Sequence, residues 1–284
     1  MLHTKDTKIL IDCGMFQGSK RLKEHNYGEF EFDPEDIDFV ILTHAHIDHS
    51  GLLPKLIKKG FKGQIFATKP TMDLCSIMLP DSGYIQELEV ERKNRKLARA
   101  GEKLLEPIYT HLDGQKAIMQ FSIVDYNLKI SLTPDVSIRF RDAGHILGSS
   151  IVEVWIKENN KNTKFVFSGD LGNLNQPIIK DPTPIDEADY VIMETTYGNR
   201  IHKDTGDKRE LLLEIIKDTF NRGGNVIIPA FAVERTQDLI YYLATLELEG
   251  RLPDCDIYVD SPLAISATEI FKVSLLKIPL REEE

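Results

Sequence analysis

His44-Ala45-His46-Ile47-Asp48-His49 puts three of the chain's eight histidines and a carboxylate into six consecutive residues. Just before it, Asp38-Phe39-Val40-Ile41-Leu42-Thr43 is an apolar run that reads as a buried strand. Just after it, Ser50-Gly51-Leu52-Leu53-Pro54 opens a helix, with Ser50 as its N-cap and Pro54 in the first turn. Imidazole and carboxylate suit zinc or iron, and here four candidate ligands share one loop between a strand end and a helix start. A solvated polar loop is the bland alternative. The density of ligand types argues against it.

The 284 residues exceed the usual size of one domain, so one large or two smaller domains are expected. With 42% hydrophobic and 28% charged residues, the composition is that of a soluble globular protein. A net charge of −10 argues against a protein that coats nucleic acid by bulk electrostatics. A nuclease whose phosphate contacts come from metals and a local basic groove stays open. Cys13, Cys75 and Cys255 are isolated and odd in number, which suggests neither a disulfide framework nor a thiolate cage. No signal peptide or membrane-length apolar run is evident, and a cytoplasmic enzyme is the expectation.

Along the chain, Lys8-Ile9-Leu10-Ile11 reads as a strand leading into Asp12-Cys13-Gly14. A strand is expected over 64–67, and helices over 70–79 and 83–100. The second helix carries Arg92-Lys93-Asn94-Arg95-Lys96-Leu97-Ala98-Arg99, the one concentrated basic run. Such runs ordinarily mark a solvated face; a phosphate-binding patch through Arg92, Lys93, Arg95 and Lys96 is the sharper alternative. Strands are expected over 121–124, 128–132, 136–142, 150–156, 165–167 and 190–193, separated by turn-rich segments. Beyond Asn199 the pattern alternates: helices over 209–220, 235–248 and 264–276, strands over 225–228 and 257–259. That alternation predicts a parallel sheet with covering helices, and a domain boundary near 198–204 gives domains of 1–199 and 200–284.

Two further candidate ligands sit at strand ends. Asp142-Ala143-Gly144-His145-Ile146-Leu147-Gly148-Ser149 presents a histidine among small residues, and Ser168-Gly169-Asp170-Leu171-Gly172 presents a carboxylate between glycines. Either alone is more often packed or solvated than a ligand. Together with the first cluster they supply four imidazoles and two carboxylates at three strand ends, a complete set for two neighbouring metals.

His44-x-His46-x-Asp48-His49, His145 and Asp170, with Asp12 upstream, resemble the motifs of the metallo-β-lactamase fold. Glu194-Thr195-Thr196-Tyr197-Gly198-Asn199 and Pro229-Ala230-Phe231-Ala232-Val233-Glu234-Arg235-Thr236-Gln237 resemble its β-CASP branch of RNA-processing and DNA-repair nucleases. Asp260-Ser261-Pro262-Leu263-Ala264 is a weaker match to a loop at the cleft rim. The resemblance covers about 8–272. It implies an α/β fold: a metallo-β-lactamase αβ/βα sandwich with a partial β-CASP domain.

It also implies roles. His44, His46 and His145 would hold a first zinc, Asp48 and His49 a second, and Asp170 would bridge the two. Asp12 would orient the histidine loop from behind. Asp48 and Glu194 are the candidate catalytic residues, Glu194 by positioning a histidine that protonates the leaving group. Single-stranded RNA is the implied partner and substrate, hydrolysed by a hydroxide held between two metals about 3.5–4 Å apart. A homo-oligomer is compatible with the family.

The chain departs from the family's pattern at both ends. The hairpin that precedes the first strand is absent, as are the later histidine motifs of the β-CASP insert, so an incomplete second metal site, a bare first-sheet edge and weak or no activity are expected. Residues 273–284 read as an unrelated tail. A hydrolase of small esters or thioesters is the rival enzyme, though it would not need the Glu194 or Pro229 blocks. A non-catalytic remnant is the rival outside enzymes.

Overall fold

Short aliphatic runs build two five-stranded sheets, and the computed structural model describes them within residues 1–159, 161–200 and 206–275. The chain forms two compact units, Met1–Leu174 with Lys180–Glu194, and Asn175–Ile179 with Thr195–Glu284. The tail over 276–284 and part of the expected boundary at 198–204 lie outside the described residues.

In the first unit, β1 (Leu2–His3) pairs antiparallel with β2 (Lys8–Ile11). After α1 (Lys20–Glu24) comes β3 (Phe39–Ile41), parallel to β2. Then α2 (Ile47–Ser50) and α3 (Leu53–Lys58) precede β4 (Gln64–Ala67), parallel to β3. The long α4 (Lys69–Ala100) and α5 (His111–Ala117) lead to β5 (Phe121–Ile123), which closes the sheet beside β4. The expected bare edge at β2 is partly covered, because Leu2 and His3 pair with Ile9 and Lys8.

The second sheet is β6 (Ile130–Ser131), β7 (Val136–Asp142), β8 (Ser150–Glu158), β9 (Lys161–Phe167) and β10 (Tyr190–Ile192). Its order is β10-β9-β8-β7-β6, antiparallel except for the parallel pair β9 and β10. Val136, Ile138 and Phe140 alternate along β7 onto the face that meets Ile9, Ile41 and Phe66 of the first sheet, joined by Val152, Val154 and Ile156. Each such side chain contributes roughly 1.5–3 kcal/mol on full burial, so this seam is a major source of the unit's stability. On the other face of the first sheet, α4 packs against α2 and α5.

Three local expectations change. Ser50 is not an N-cap: the helix begins at Ile47, inside the histidine motif, and the Ser50 hydroxyl lies within hydrogen-bond reach of the Ala45 and His46 carbonyls. Pro54 does sit in the first turn of α3. The two helices expected around Pro80 are one helix of 32 residues with Pro80 inside it. Missed altogether was α5, whose start is a capping box: the Thr110 hydroxyl accepts from Asp113 N–H while the Asp113 carboxylate accepts from Thr110 N–H.

The second unit contains α6 (Lys208–Asn221), α7 (Arg235–Leu248) and α8 (Pro262–Leu275). The Gln237 amide of α7 reaches α8 and the segment before α7, its Nε2 lying within hydrogen-bond distance of the Ala232 and Ala264 carbonyls and the Thr268 hydroxyl. The strands expected over 225–228 and 257–259 have no ladder pairing among the described residues. A strand is defined by its neighbours, and apolar composition supplies the side chains but not the pairing.

Candidate metal centre

Every candidate ligand leaves the C-terminal end of a strand. Asp12 follows β2, the histidine motif follows β3, His145 follows β7 and Asp170 follows β9. Because β2 and β3 are parallel, their ends share one rim of the first sheet. β7 and β9 both run antiparallel to β8, so their ends share one rim of the second. The sandwich core sets those rims side by side.

His44, His46, His145 and Asp170 form one group, with a ligand atom from each lying within 4.8 Å of the others. His44 Nε2 is 3.2 Å and His145 Nε2 3.1 Å from His46 Nδ1. Asp170 Oδ2 is 3.6 Å from His145 Nε2 and 3.9 Å from His44 Nε2. Zinc–nitrogen bonds of about 2.0–2.1 Å around a tetrahedral centre put neighbouring ligand atoms about 3.3 Å apart, so these separations fit one such ion.

The electrostatics agree. Burial, with the neighbouring imidazoles adding to it, pushes His44 well below the usual histidine range. Burial and then His145 push His46 down to about 4. Both are therefore neutral at physiological pH, the form that offers a lone pair to a metal.

His49 is the opposite case. Burial alone would lower it, but Asp12 Oδ2 at 2.7 Å from Nδ1 and Asp170 Oδ1 at 3.1 Å from Nε2 raise it to about 10. Asp170 is held below its usual value, first by its hydrogen bond to His49. Asp48 lies in the first turn of α2, where its charge acts on His46. Neither His49 nor Asp48 belongs to the four-residue group.

Asp12 organises the loop from behind. Its backbone takes a left-handed turn at φ 57° after β2. Its Oδ1 accepts from Thr43 N–H at 2.7 Å, and Oδ2 accepts from the Thr43 hydroxyl at 2.8 Å. Two residues on, a Cβ at Gly14 would stand 1.5 Å from the Asp48 carbonyl oxygen, so only glycine lets this segment lie along α2. On the opposite rim the Ser149 hydroxyl accepts from the backbone N–H of His145 and Ile146 at 3.0 and 3.2 Å. Ser149 and Thr43 escaped the reading of the sequence; hydroxyls flanking Gly144–Gly148 and the histidine motif were the available signals.

Glu194, just past β10, accepts from Leu171 N–H through Oε1 at 2.7 Å, and its own N–H donates to the Ser168 hydroxyl at 3.1 Å. Arg92, Lys93, Arg95 and Lys96 lie far along α4, where Arg95 pairs with Glu91 at 2.6 Å and Lys93 with Glu89 at 3.7 Å.

Residues 1–215 match the Metallo-beta-lactamase superfamily, and the chain belongs to that superfamily. Ribonuclease TTHA0252 of Thermus thermophilus is 37% identical over 258 residues, covering 90% of this chain and 53% of that protein. Transcription termination factor FttA of Methanosarcina mazei is 34% identical over 277 residues, covering 94% of this chain and 41% of the factor. An RNase J-like protein of Methanocaldococcus jannaschii is 30% identical over 273 residues, covering 95% of this chain and 56% of its own. The chain thus spans about half the length of the curated relatives it matches.

Proposed function

We propose that this chain carries the catalytic metal centre of a β-CASP-type ribonuclease, a metal-dependent phosphodiesterase acting on single-stranded RNA. The observation that carries the reading is the group of three imidazoles and a carboxylate at the joined sheet rims. The relatives named as a ribonuclease, a termination factor and an RNase J-like protein support RNA as the substrate class.

His44, His46, His145 and Asp170 would hold a first zinc, and Asp48, His49 and Asp170 a second. Bound there, such ions would supply positive charge for the phosphate oxygens and make a water acidic enough to attack near neutral pH. The protein's own part is to keep His44 and His46 neutral, to fix Asp170 between the two rims, and to hold the histidine loop on Asp12. Glu194 steadies the loop after Asp170 through Leu171. Of the four basic residues singled out on α4, Arg92 and Lys96 have no ion pair among the described residues, and they are the better candidates for phosphate contact there.

Elemental analysis of protein prepared without chelator, joined to cleavage of labelled single-stranded RNA with and without chelator, tests the reading. Bound zinc is expected, with RNA cleavage that is weak in this chain and lost on adding chelator. Zinc-loaded protein that hydrolyses a thioester but leaves RNA intact would move the assignment to small-molecule hydrolysis. Protein without any transition metal would overturn it. Neutralising Arg92, Lys93, Arg95 and Lys96 should flatten the salt dependence of RNA binding, by about 0.7 in slope for each phosphate no longer neutralised. An unchanged slope assigns that run to solvation.

A further inference from the structure

We propose that Thr43 is a positioning residue for the metal centre, its hydroxyl carrying the influence of Asp12 to His44 and fixing which His44 nitrogen is bare. The inference rests on the metal-site reading above, but not on nuclease activity.

Thr43 is 1% exposed, so its hydroxyl finds its partners within the protein. Two polar atoms lie within reach: Asp12 Oδ2 at 2.8 Å and His44 Nδ1 at 3.0 Å. An ionised carboxylate only accepts, and a hydroxyl has a single proton to give. The Thr43 proton therefore goes to Asp12, and the Thr43 oxygen is left to accept from His44 Nδ1–H. A neutral imidazole protonated at Nδ1 has its lone pair at Nε2, the atom that faces His46 Nδ1 at 3.2 Å.

Asp12 acts on His49 directly, with Oδ2 at 2.7 Å from Nδ1. One carboxylate thus orients two histidines, one by contact and one through a hydroxyl. The side chain of Thr43 is also fixed in place. Gly169, at φ 56°, leaves it room, and a Cβ there would lie 2.8 Å from Thr43 Cβ. The backbone is pinned on both sides, by Thr43 N–H to Asp12 Oδ1 at 2.7 Å and by Ser150 N–H to the Thr43 carbonyl at 2.9 Å. Only the hydroxyl distinguishes threonine from valine in this setting, and valine has nearly the same shape.

The test uses the full chain with ¹⁵N-labelled histidine, first free of metal and then titrated with zinc. In the native protein and in Thr43→Ser, His44 should show a protonated Nδ1 and a bare Nε2. In Thr43→Val that preference should be lost, and zinc affinity should fall about 10–100-fold, the usual effect of removing a group that orients a metal ligand. Asp12→Asn provides the second arm: an amide donating to the Thr43 oxygen would send the hydroxyl proton toward His44 Nδ1 and move the ring proton to Nε2. Thr43→Val that folds with the native tautomer and native zinc affinity would overturn the proposal. So would Thr43→Ser behaving like Thr43→Val. If Thr43→Val fails to fold, an unshifted His44 tautomer in Asp12→Asn overturns it instead. The tautomer is read without RNA, so absence of nuclease activity and absence of the relay are separate results.

Discussion

The Glu194 carboxylate accepts a hydrogen bond from Leu171 N–H at 2.7 Å, and Leu171 is the residue after Asp170. The end of β10 thereby holds the loop that presents the Asp170 carboxylate. Glutamine can accept the same bond through its amide oxygen, whereas alanine cannot. Glu194→Gln is expected to keep zinc affinity near native, and Glu194→Ala to lower it about 10-fold or more. Calorimetric titration with zinc checks this, and equal affinities in the two variants would deny the loop-holding role.

Asp170 lies between histidines, with Oδ2 near His44 and His145 and Oδ1 near His49. Asp170→Asn hardly changes volume, so the fold should persist while metal occupancy falls, because an amide bridges cations poorly. Elemental analysis beside a circular dichroism spectrum reads the two effects separately. Full occupancy in the folded variant would remove Asp170 from the bridging position.

In the second unit, burial raises Glu234 to about 7. The unfolded chain releases that proton near pH 4.3, so between about pH 4.3 and 7 the native state binds more protons than the unfolded state. From this residue, stability is greatest at the acid end of the window, falls as pH rises through it, and levels off above it. The loss is at most about 4 kcal/mol. Asp238, also raised by burial, acts in the same direction, while Arg235 and Lys208 oppose the shift of Glu234. Glu234→Gln should flatten the pH dependence of urea unfolding between pH 5 and 7 and raise stability at pH 8. A variant as pH-dependent as the native chain would contradict this.

Glu234 is also strained. Its backbone sits at φ 72° and ψ −66°, and Arg235 N–H donates to the Val233 carbonyl at 3.1 Å, a γ-turn of the rare positive-φ kind. Such a conformation costs a side-chain-bearing residue about 1–3 kcal/mol, and glycine gives back part of the gain through its greater freedom when unfolded. Glu234→Gly should therefore stabilise the native state by about 1 kcal/mol beyond Glu234→Gln at the same pH. Differential denaturation of the two variants measures that difference directly.

The histidine motif, His145 and Asp170 were legible in the sequence because each interrupts or ends a run of strand-forming residues. The strands themselves were legible for the same reason, as at Lys8–Ile11 and Val136–Asp142. Pro80 misled because proline usually ends a helix, whereas α4 runs on through it while packed along α5. The Thr110–Asp113 box could have been found, being a capping signature with aspartate in place of glutamate. The Thr43 relay could not, since it depends on Asp12 arriving from 31 residues away. Ile227 and Tyr258, which are 89% and 85% exposed, show the remaining limit: an apolar run predicts a strand only where another strand is at hand.

His46 and His145 stand 99 positions apart in the chain, yet their ring nitrogens are 3.1 Å apart. A cation gripping both would close a loop of that length, as a disulfide does, but with a tether that a chelator removes. At a free concentration of about 1,000 times its dissociation constant, such an ion adds roughly 4 kcal/mol to unfolding. Much of this protein's resistance to heat and proteases would then be set by the zinc activity of its surroundings, making metal supply a control on how long the molecule survives as well as on what it can hydrolyse.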